Sequence, residues 1–205
     1  MKTKIFLICC LLAFVSCGKK NGGDEMPMCS CPHCLICIQP LGSFTKAEAE
    51  ALVPTLEENF GKWLYGGWEF KVLDQKPLSK EAYVKERNGY KAVNILDMLK
   101  KNPQKEDHRP IVYIGLAHED ICTDIRDKKN YGIIGLSYSP GYVSVVSDYR
   151  VKPRSIVWKS MLHEFMHAFY GAKHCPNDDP KCFMKDAKGK GNLRVQDRLC
   201  DSCRY

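Results

Sequence analysis

Hydrophobic and polar positions alternate or recur along this chain in a way that marks out a short series of elements. Leu35 to Gln39 is a compact apolar run and reads as a strand, turned by Pro40-Leu41-Gly42. Thr45 followed by Glu48 is a capping-box signature, so a helix starts there and runs towards Asn59. Pro54 removes a backbone donor midway, which predicts a kink or a split, and Gly61 is the expected stop. Trp68, Phe70 and Val72 alternate with polar residues as a second strand does, and Trp63, Tyr65 and Trp68 around Gly66-Gly67 read as core at a turn. Between Tyr90 and Lys101, Ala92, Ile95, Leu96 and Leu99 recur at helical spacing. Ile111 to Leu116 is almost wholly apolar, as a central strand buried on both faces is. Tyr142 to Ser147 mixes valine with serine and predicts a strand with one wet face; Pro153 then breaks pairing and Ser155 is the expected cap of a last helix.

That last helix carries the chemistry. Met161 to Cys175 reads M-L-H-E-F-M-H-A-F-Y-G-A-K-H-C. On a helix His163 and His167 project from one face a turn apart, as two ligands of a single metal must, and Glu164 falls beside them. Two neutral imidazoles with an adjacent carboxylate that takes a proton from water are the arrangement of zinc metallopeptidases. Leu162, Phe165, Met166 and Phe169 make a separate apolar stripe, so one face packs while another coordinates. Gly171 releases the backbone, and His174 follows as a third candidate ligand. Paired histidines on a helix also occur without any metal. The downstream sequence shifts the balance: Cys175, Cys182, Met184 and Cys200-Asp201-Ser202-Cys203 put four more candidate ligands within a short span.

The run His163-Glu164-x-x-His167, Gly171-x-x-His174-Cys175, Cys182-x-Met184 and Cys200-x-x-Cys203 resembles the archaemetzincins, a branch of the metzincin clan of zinc peptidases. The resemblance covers the last quarter of the chain. It implies His163, His167 and His174 as ligands of a catalytic zinc, Glu164 as general base, and Met184 as the methionine of a turn beneath the metal. It further implies Cys175, Cys182, Cys200 and Cys203 as ligands of a second, structural zinc. The fold implied is α+β and metzincin-like: a mixed twisted sheet with an active-site helix and a cysteine-rich C-terminal tail. By the same resemblance an edge strand ahead of the zinc helix pairs with substrate backbone, which makes Tyr142 to Ser147 the candidate peptide rail. The chain departs from the family pattern in the spacers between Cys175 and Cys182 and between Met184 and Cys200, as loops tolerate, and also within the zinc motif. Three residues, Ala168, Phe169 and Tyr170, separate the second histidine from the glycine where the family has two, so a strict count puts Lys173 at the third ligand position. His174 is preferred, because the Gly-x-x-His-Cys block is intact and a protonated lysine is a poor ligand.

The first residues add a location. Lys2 and Lys4 precede an apolar run from Ile5 to Val15, too short to span a bilayer comfortably, so residues 1–16 read as a signal peptide. Phe14-Val15-Ser16-Cys17 resembles a bacterial lipoprotein cleavage site, with Cys17 as the lipidated residue; the alternative is an ordinary cleaved signal. Residues 17–34 then form a tether with a cysteine cluster, and residues 35–205 the metallopeptidase domain. The expected site is the bacterial cell envelope, with attachment to the membrane through the lipid. In an exported chain Cys29, Cys31, Cys34 and Cys37, with His33 among them, read first as disulfides and second as metal ligands; the four C-terminal cysteines could form two disulfides instead, but the closing Cys-x-x-Cys and the resemblance favour zinc there.

Charge excludes a nucleic-acid partner. Setting aside Lys2 and Lys4 leaves 29 basic against 24 acidic residues, a net charge of +5, with no basic cluster interleaved with aromatics. About 175 residues remain after signal and tether, enough for one domain with its own core, expected to be a monomer. His118-Glu119-Asp120 with Asp124 reads as a solvated loop rather than another metal site, and Cys122 as a buried thiol. Gly132 and Gly135 lack the Gly-Lys-Ser/Thr sequel of a phosphate loop. Three readings follow: a zinc peptidase acting on a peptide or protein substrate, an envelope lipoprotein that binds zinc or a partner without catalysis, or a disulfide-stabilised exported domain whose histidines are incidental.

Overall fold

The computed structural model describes residues 34–106, 108–186 and 192–204. The expectations for the signal, Cys17, Cys29, Cys31 and His33 lie outside them.

The sheet grows from β1 (Cys34–Leu41), in which every residue is buried. The helix α1 (Lys46–Trp63) follows through the capping box the sequence announces, Thr45 and Glu48 each satisfying the other's backbone N–H. Pro54 lies inside α1, which runs unbroken past it. Both Pro54 and Glu50, whose carbonyl loses its donor, face solvent, so water can take the place of the missing bond. Gly61 is likewise no stop: the helix continues to Trp63, and Leu64 closes it by donating to Phe60 O. β2 (Trp68–Val72) then pairs parallel to β1. Of the aromatic trio, Trp63 and Trp68 are partly buried, but Tyr65 is 57% exposed and is not core.

Two short strands, β3 (Tyr83–Val84) and β4 (Gly89–Lys91), precede α2 (Ala92–Lys100), which buries Ala92, Ile95, Leu96 and Leu99 as its spacing predicts. After β5 (Lys105–Glu106) comes β6 (Arg109–Ala117), whose last seven residues are all buried. The chain then forms β7 (Ile121–Ile125), β8 (Lys128–Ile133), β9 (Gly135–Ser137), β10 (Val143–Ser147) and α3 (Val157–Tyr170). The main sheet has the order β2-β1-β6-β10-β9, with β5 also on β6; β9 alone along that path is antiparallel to its neighbour. A smaller sheet, β3-β4-β7-β8, stands beside it.

Period-two alternation divides the core between the two faces of the main sheet. Ile36, Ile38, Val112, Ile114 and Leu116 face α1 and α3, where Phe60, Phe165 and Phe183 fill the space. Leu35, Cys37, Ile111, Tyr113 and Val145 face α2. Each wholly buried Ile, Leu or Phe contributes about 1.5–3 kcal/mol against its exposed state. The result is the expected α+β architecture with a mixed sheet.

Two expectations are corrected here. Tyr142 to Ser147 is no edge and has no wet face: β10 lies between β6 and β9, and all five of its residues are buried. Its serines are interior, Ser147 donating to the Glu119 carbonyl at 2.6 Å. The edge beside α3 is β9. Ser155 does not cap α3, whose N-cap is Ile156 with no side-chain bond; a 3₁₀ turn over Arg154–Ile156 leads into the helix instead.

Candidate metal centre

α3 buries Met161, Leu162, Phe165 and Met166 against the sheet and turns His163 and His167 away from them. It ends where Gly171 takes a left-handed conformation (φ 63°), with Gly171 N–H donating to His167 O and Ala172 N–H to Met166 O. This double closure needs glycine, because a side chain at that φ is strained. The released chain returns His174 to the two helical histidines. The ring centroids of His163 and His174 are 5.3 Å apart and those of His167 and His174 are 4.8 Å apart. One ligand atom from each of the three lies within 4.8 Å of the others. His174, not Lys173, is thus the side chain that joins His163 and His167.

The rings are oriented by backbone. His163 Nδ1–H donates to Phe183 O at 2.7 Å and His167 Nδ1–H to Ala172 O at 2.5 Å. In a neutral imidazole this tautomer leaves Nε2 with a bare lone pair. The two Nε2 atoms face each other at 3.0 Å. Lone pairs at that distance repel unless a cation lies between them, and burial works against supplying one as a proton. It lowers the pKa of all three rings, with the neighbouring His163 adding to the effect at His167 and His174. A divalent metal fits this donor set.

Glu164 is buried beside the histidines, at 8% exposure. Ser137, on β9, bonds its carboxylate: Ser137 Oγ lies 2.5 Å from Glu164 Oε2 and 2.9 Å from the Glu164 backbone carbonyl. A Cβ on Gly135 would stand 2.6 Å from Glu164 Oε1, so only glycine allows the strand to pass so close. Burial raises the Glu164 pKa, with the Ser137 bond and His167 opposing it. Sequence reasoning missed Gly135 and Ser137, and nothing local could have supplied them, since their partner lies on another element.

The four C-terminal cysteines also converge. Cys175, Cys182, Cys200 and Cys203 are all free thiols and place their sulfurs within 4.8 Å of one another. A tetrahedral ion with bonds of about 2.3 Å separates its sulfurs by roughly 3.8 Å, close to the 3.5 Å between Cys175 and Cys200. Burial pushes Cys182 up to about 11 and Cys203 higher still. At Cys175 burial also raises the value, but hydrogen bonds led by the Asp179 backbone outweigh it and bring the thiol below its ordinary range. Met184 sits fully buried in a tight turn closed by Lys185 N–H donating to Cys182 O at 3.0 Å. That turn joins the two clusters: its Phe183 carbonyl orients His163, and its Met184 carbonyl accepts from Cys175 N–H at 2.7 Å.

The remaining candidates separate from the metal centre. His118 is held between Asp148 (2.9 Å) and Glu48 (3.1 Å). Asp120 is buried between Arg87 and Arg150, and Asp124 pairs with Lys91. These residues lock the smaller sheet and the α1 terminus to the main sheet, a tighter role than the solvated loop expected. Cys122 is wholly buried, as expected. Cys34 and Cys37 point to opposite faces of β1 and do not meet.

A mixed sheet over a His-Glu-x-x-His helix, closed by a third histidine and a methionine turn, defines a metzincin-like metallopeptidase scaffold. Comparison with known proteins narrows the class. No protein-family model matches the sequence. The chain is similar to the archaemetzincin of Haloquadratum walsbyi, with 26% identity over 188 residues, 82% of this chain and 96% of that one. The archaemetzincin of Nanoarchaeum equitans is 33% identical over 90 residues, 43% of this chain and 50% of its own. Among solved structures, archaemetzincin from Methanopyrus kandleri superimposes with a TM-score of 0.66 at 25% identity, covering 83% of this chain and 91% of that one. The one from Archaeoglobus fulgidus, in complex with malonate, gives 0.63 at 26%, covering 82% and 97%. Over more than four-fifths of its length the chain is thus similar to archaemetzincins in both sequence and fold, the family of zinc-dependent metallopeptidases that its histidine and cysteine motifs resemble.

Proposed function

We propose that this protein is a zinc-dependent peptidase that hydrolyses peptide bonds with Glu164 as general base. His163, His167 and His174 would hold the catalytic ion, and Cys175, Cys182, Cys200 and Cys203 a structural one. Bound zinc supplies a Lewis acid that polarises a carbonyl and makes water acidic near neutral pH.

The protein's own groups do the rest. The Phe183 and Ala172 carbonyls fix the tautomers of His163 and His167, so that their Nε2 atoms remain donors to the ion. Glu164 takes a proton from the attacking water and returns it to the leaving amine. A pKa raised by burial suits a group that must both accept and release that proton near neutrality. β9, the sheet edge next to Glu164, is the strand available to pair with substrate backbone, in place of β10.

The observation that carries this reading is the buried Glu164 carboxylate held at the flank of the histidines; a site that only bound zinc would have no need of it. Glu164→Gln should leave the zinc content unchanged and abolish peptide cleavage. Cleavage by the variant at the parental rate would remove Glu164 from the general-base role, whereas a zinc-loaded parental protein that cleaves no peptide would favour a zinc-binding envelope lipoprotein.

We place this domain at the bacterial envelope, tethered by lipid on Cys17. Support comes from Lys2, Lys4 and the apolar run Ile5 to Val15. Among the described residues no helix is long and apolar enough to cross a membrane. Mass measurement of purified membrane-fraction protein tests the lipid, and an unmodified Cys17 would remove it.

A further inference from the structure

A cavity of about 280 Å³, lined by Ile134, Arg150, Lys152, Asn192 and Arg194 among others, opens beside the β9 edge. Its charge is one-sided. Arg150 is committed to Asp120, its Nη2 lying 2.7 Å from Oδ2, and Arg87 Nε shares the same carboxylate at 2.9 Å. Lys152 and Arg194 have no carboxylate partner among the described residues. Arg194 Nε donates to the Lys152 carbonyl at 2.9 Å, which keeps the two residues together and leaves the other guanidinium nitrogens for a ligand. The cavity wall thus carries two cations with no carboxylate partner among the described residues, Lys152 and Arg194, beside a third, Arg150, that is already paired. Two like charges held side by side without a counter-ion repel each other, and an incoming anion relieves that repulsion.

The position of the cavity gives it meaning. Ile134 directly precedes β9, and Gly135 and Ser137 on that strand touch Glu164. At about 3.3 Å per residue the cavity wall lies roughly 10 Å along the strand from Ser137. A peptide paired with β9 and reacting at Glu164 would carry a side chain or its terminus past Lys152 and Arg194.

We propose that this cavity is a substrate subsite for a carboxylate, supplied by an Asp or Glu side chain or by the C-terminus of the peptide. The proposal rests on the peptidase reading for its position but is testable without turnover. The zinc-loaded full chain carrying Glu164→Gln is titrated, by fluorescence anisotropy, with short alanine-rich peptides bearing an uncharged fluorophore. One set scans a single glutamate through an amidated peptide, one peptide is neutral with a free C-terminus, and one is neutral and amidated. At low salt, a glutamate at one position, or the free terminus, should tighten binding about tenfold over the neutral amide. Which of the two does so identifies the source of the carboxylate. The gain should vanish in Lys152→Gln/Arg194→Gln and reverse in Lys152→Glu/Arg194→Glu, while the neutral peptide binds all three proteins alike. Equal binding of all the peptides, or equal weakening of neutral and acidic peptides by the substitutions, overturns the subsite. If the carboxylate preference holds while the parental protein cleaves none of these peptides, the subsite stands and the peptidase reading falls.

Discussion

Ser137 and Glu164 meet across 27 positions of sequence, the serine hydroxyl 2.5 Å from the carboxylate it holds. The edge strand thereby fixes the carboxylate proposed as general base. A hydrogen bond to a charged group contributes about 1.5–3 kcal/mol, so Ser137→Ala should lower kcat roughly tenfold to a hundredfold at unchanged zinc content. Ser137→Thr, which keeps the hydroxyl, should recover most of it. Steady-state kinetics with metal analysis of the same samples decides; an unchanged kcat in the alanine variant would remove the positioning role.

The third candidate ligand is separable from its neighbour. His174→Ala should lose zinc from the histidine cluster, whereas Lys173→Ala should retain it, because His174 is the ring that reaches His163 and His167. Competition with a colorimetric chelator measures both. Equal loss from the two variants would mean that the added residue after His167 has been placed wrongly.

Acid should destabilise the metal-free protein before the metal-loaded one. The three histidines have folded pKa values below the ordinary 6.5, so the unfolded chain binds protons more readily than the folded one. Their contribution to stability is therefore present above about pH 6.5 and is lost as pH falls below it. Bound zinc, by competing with those protons, should shift the loss to lower pH. Thermal unfolding of both forms across this range checks the sign, and a metal-free protein that gains stability on acidification through pH 6.5 would contradict it.

The smaller sheet depends on one carboxylate. Asp120 is 7% exposed and bridges Arg87 and Arg150, so Asp120→Ala leaves two largely buried cations without their partner. Removing one member of such a pair costs about 3–5 kcal/mol. Urea unfolding should show a loss of that order, and a loss below about 1 kcal/mol would place the cluster in solvent.

What the sequence disclosed was whatever depends on near neighbours. His163 and His167 need only helical spacing, and the Thr45–Glu48 box needs three residues. The buried stripe Ala92, Ile95, Leu96 and Leu99 needs one period. What it withheld depends on partners far along the chain. Ser144 and Ser147 look like a wet face until Ser147 is seen bonding Glu119 inside the sheet. Gly135, set aside for lacking a phosphate-loop sequel, is glycine because Glu164 presses against it. The stretch from β7 to β9 carries Lys128, Lys129 and Asn130 and shows little apolar alternation, since much of it lies at the protein surface. Tyr65 was misassigned for the reverse reason: aromatic bulk suggested burial, but the chain leaves it in solvent.

Zinc content per chain, measured by mass spectrometry on the full-length protein and on His163→Ala/His167→Ala, bears most directly on the central claim. The parental chain should carry one equivalent more than the double variant, with the cysteine cluster retaining its own ion in both. Equal zinc in the two proteins would show that the histidines hold no metal and would remove the basis for hydrolysis at this site.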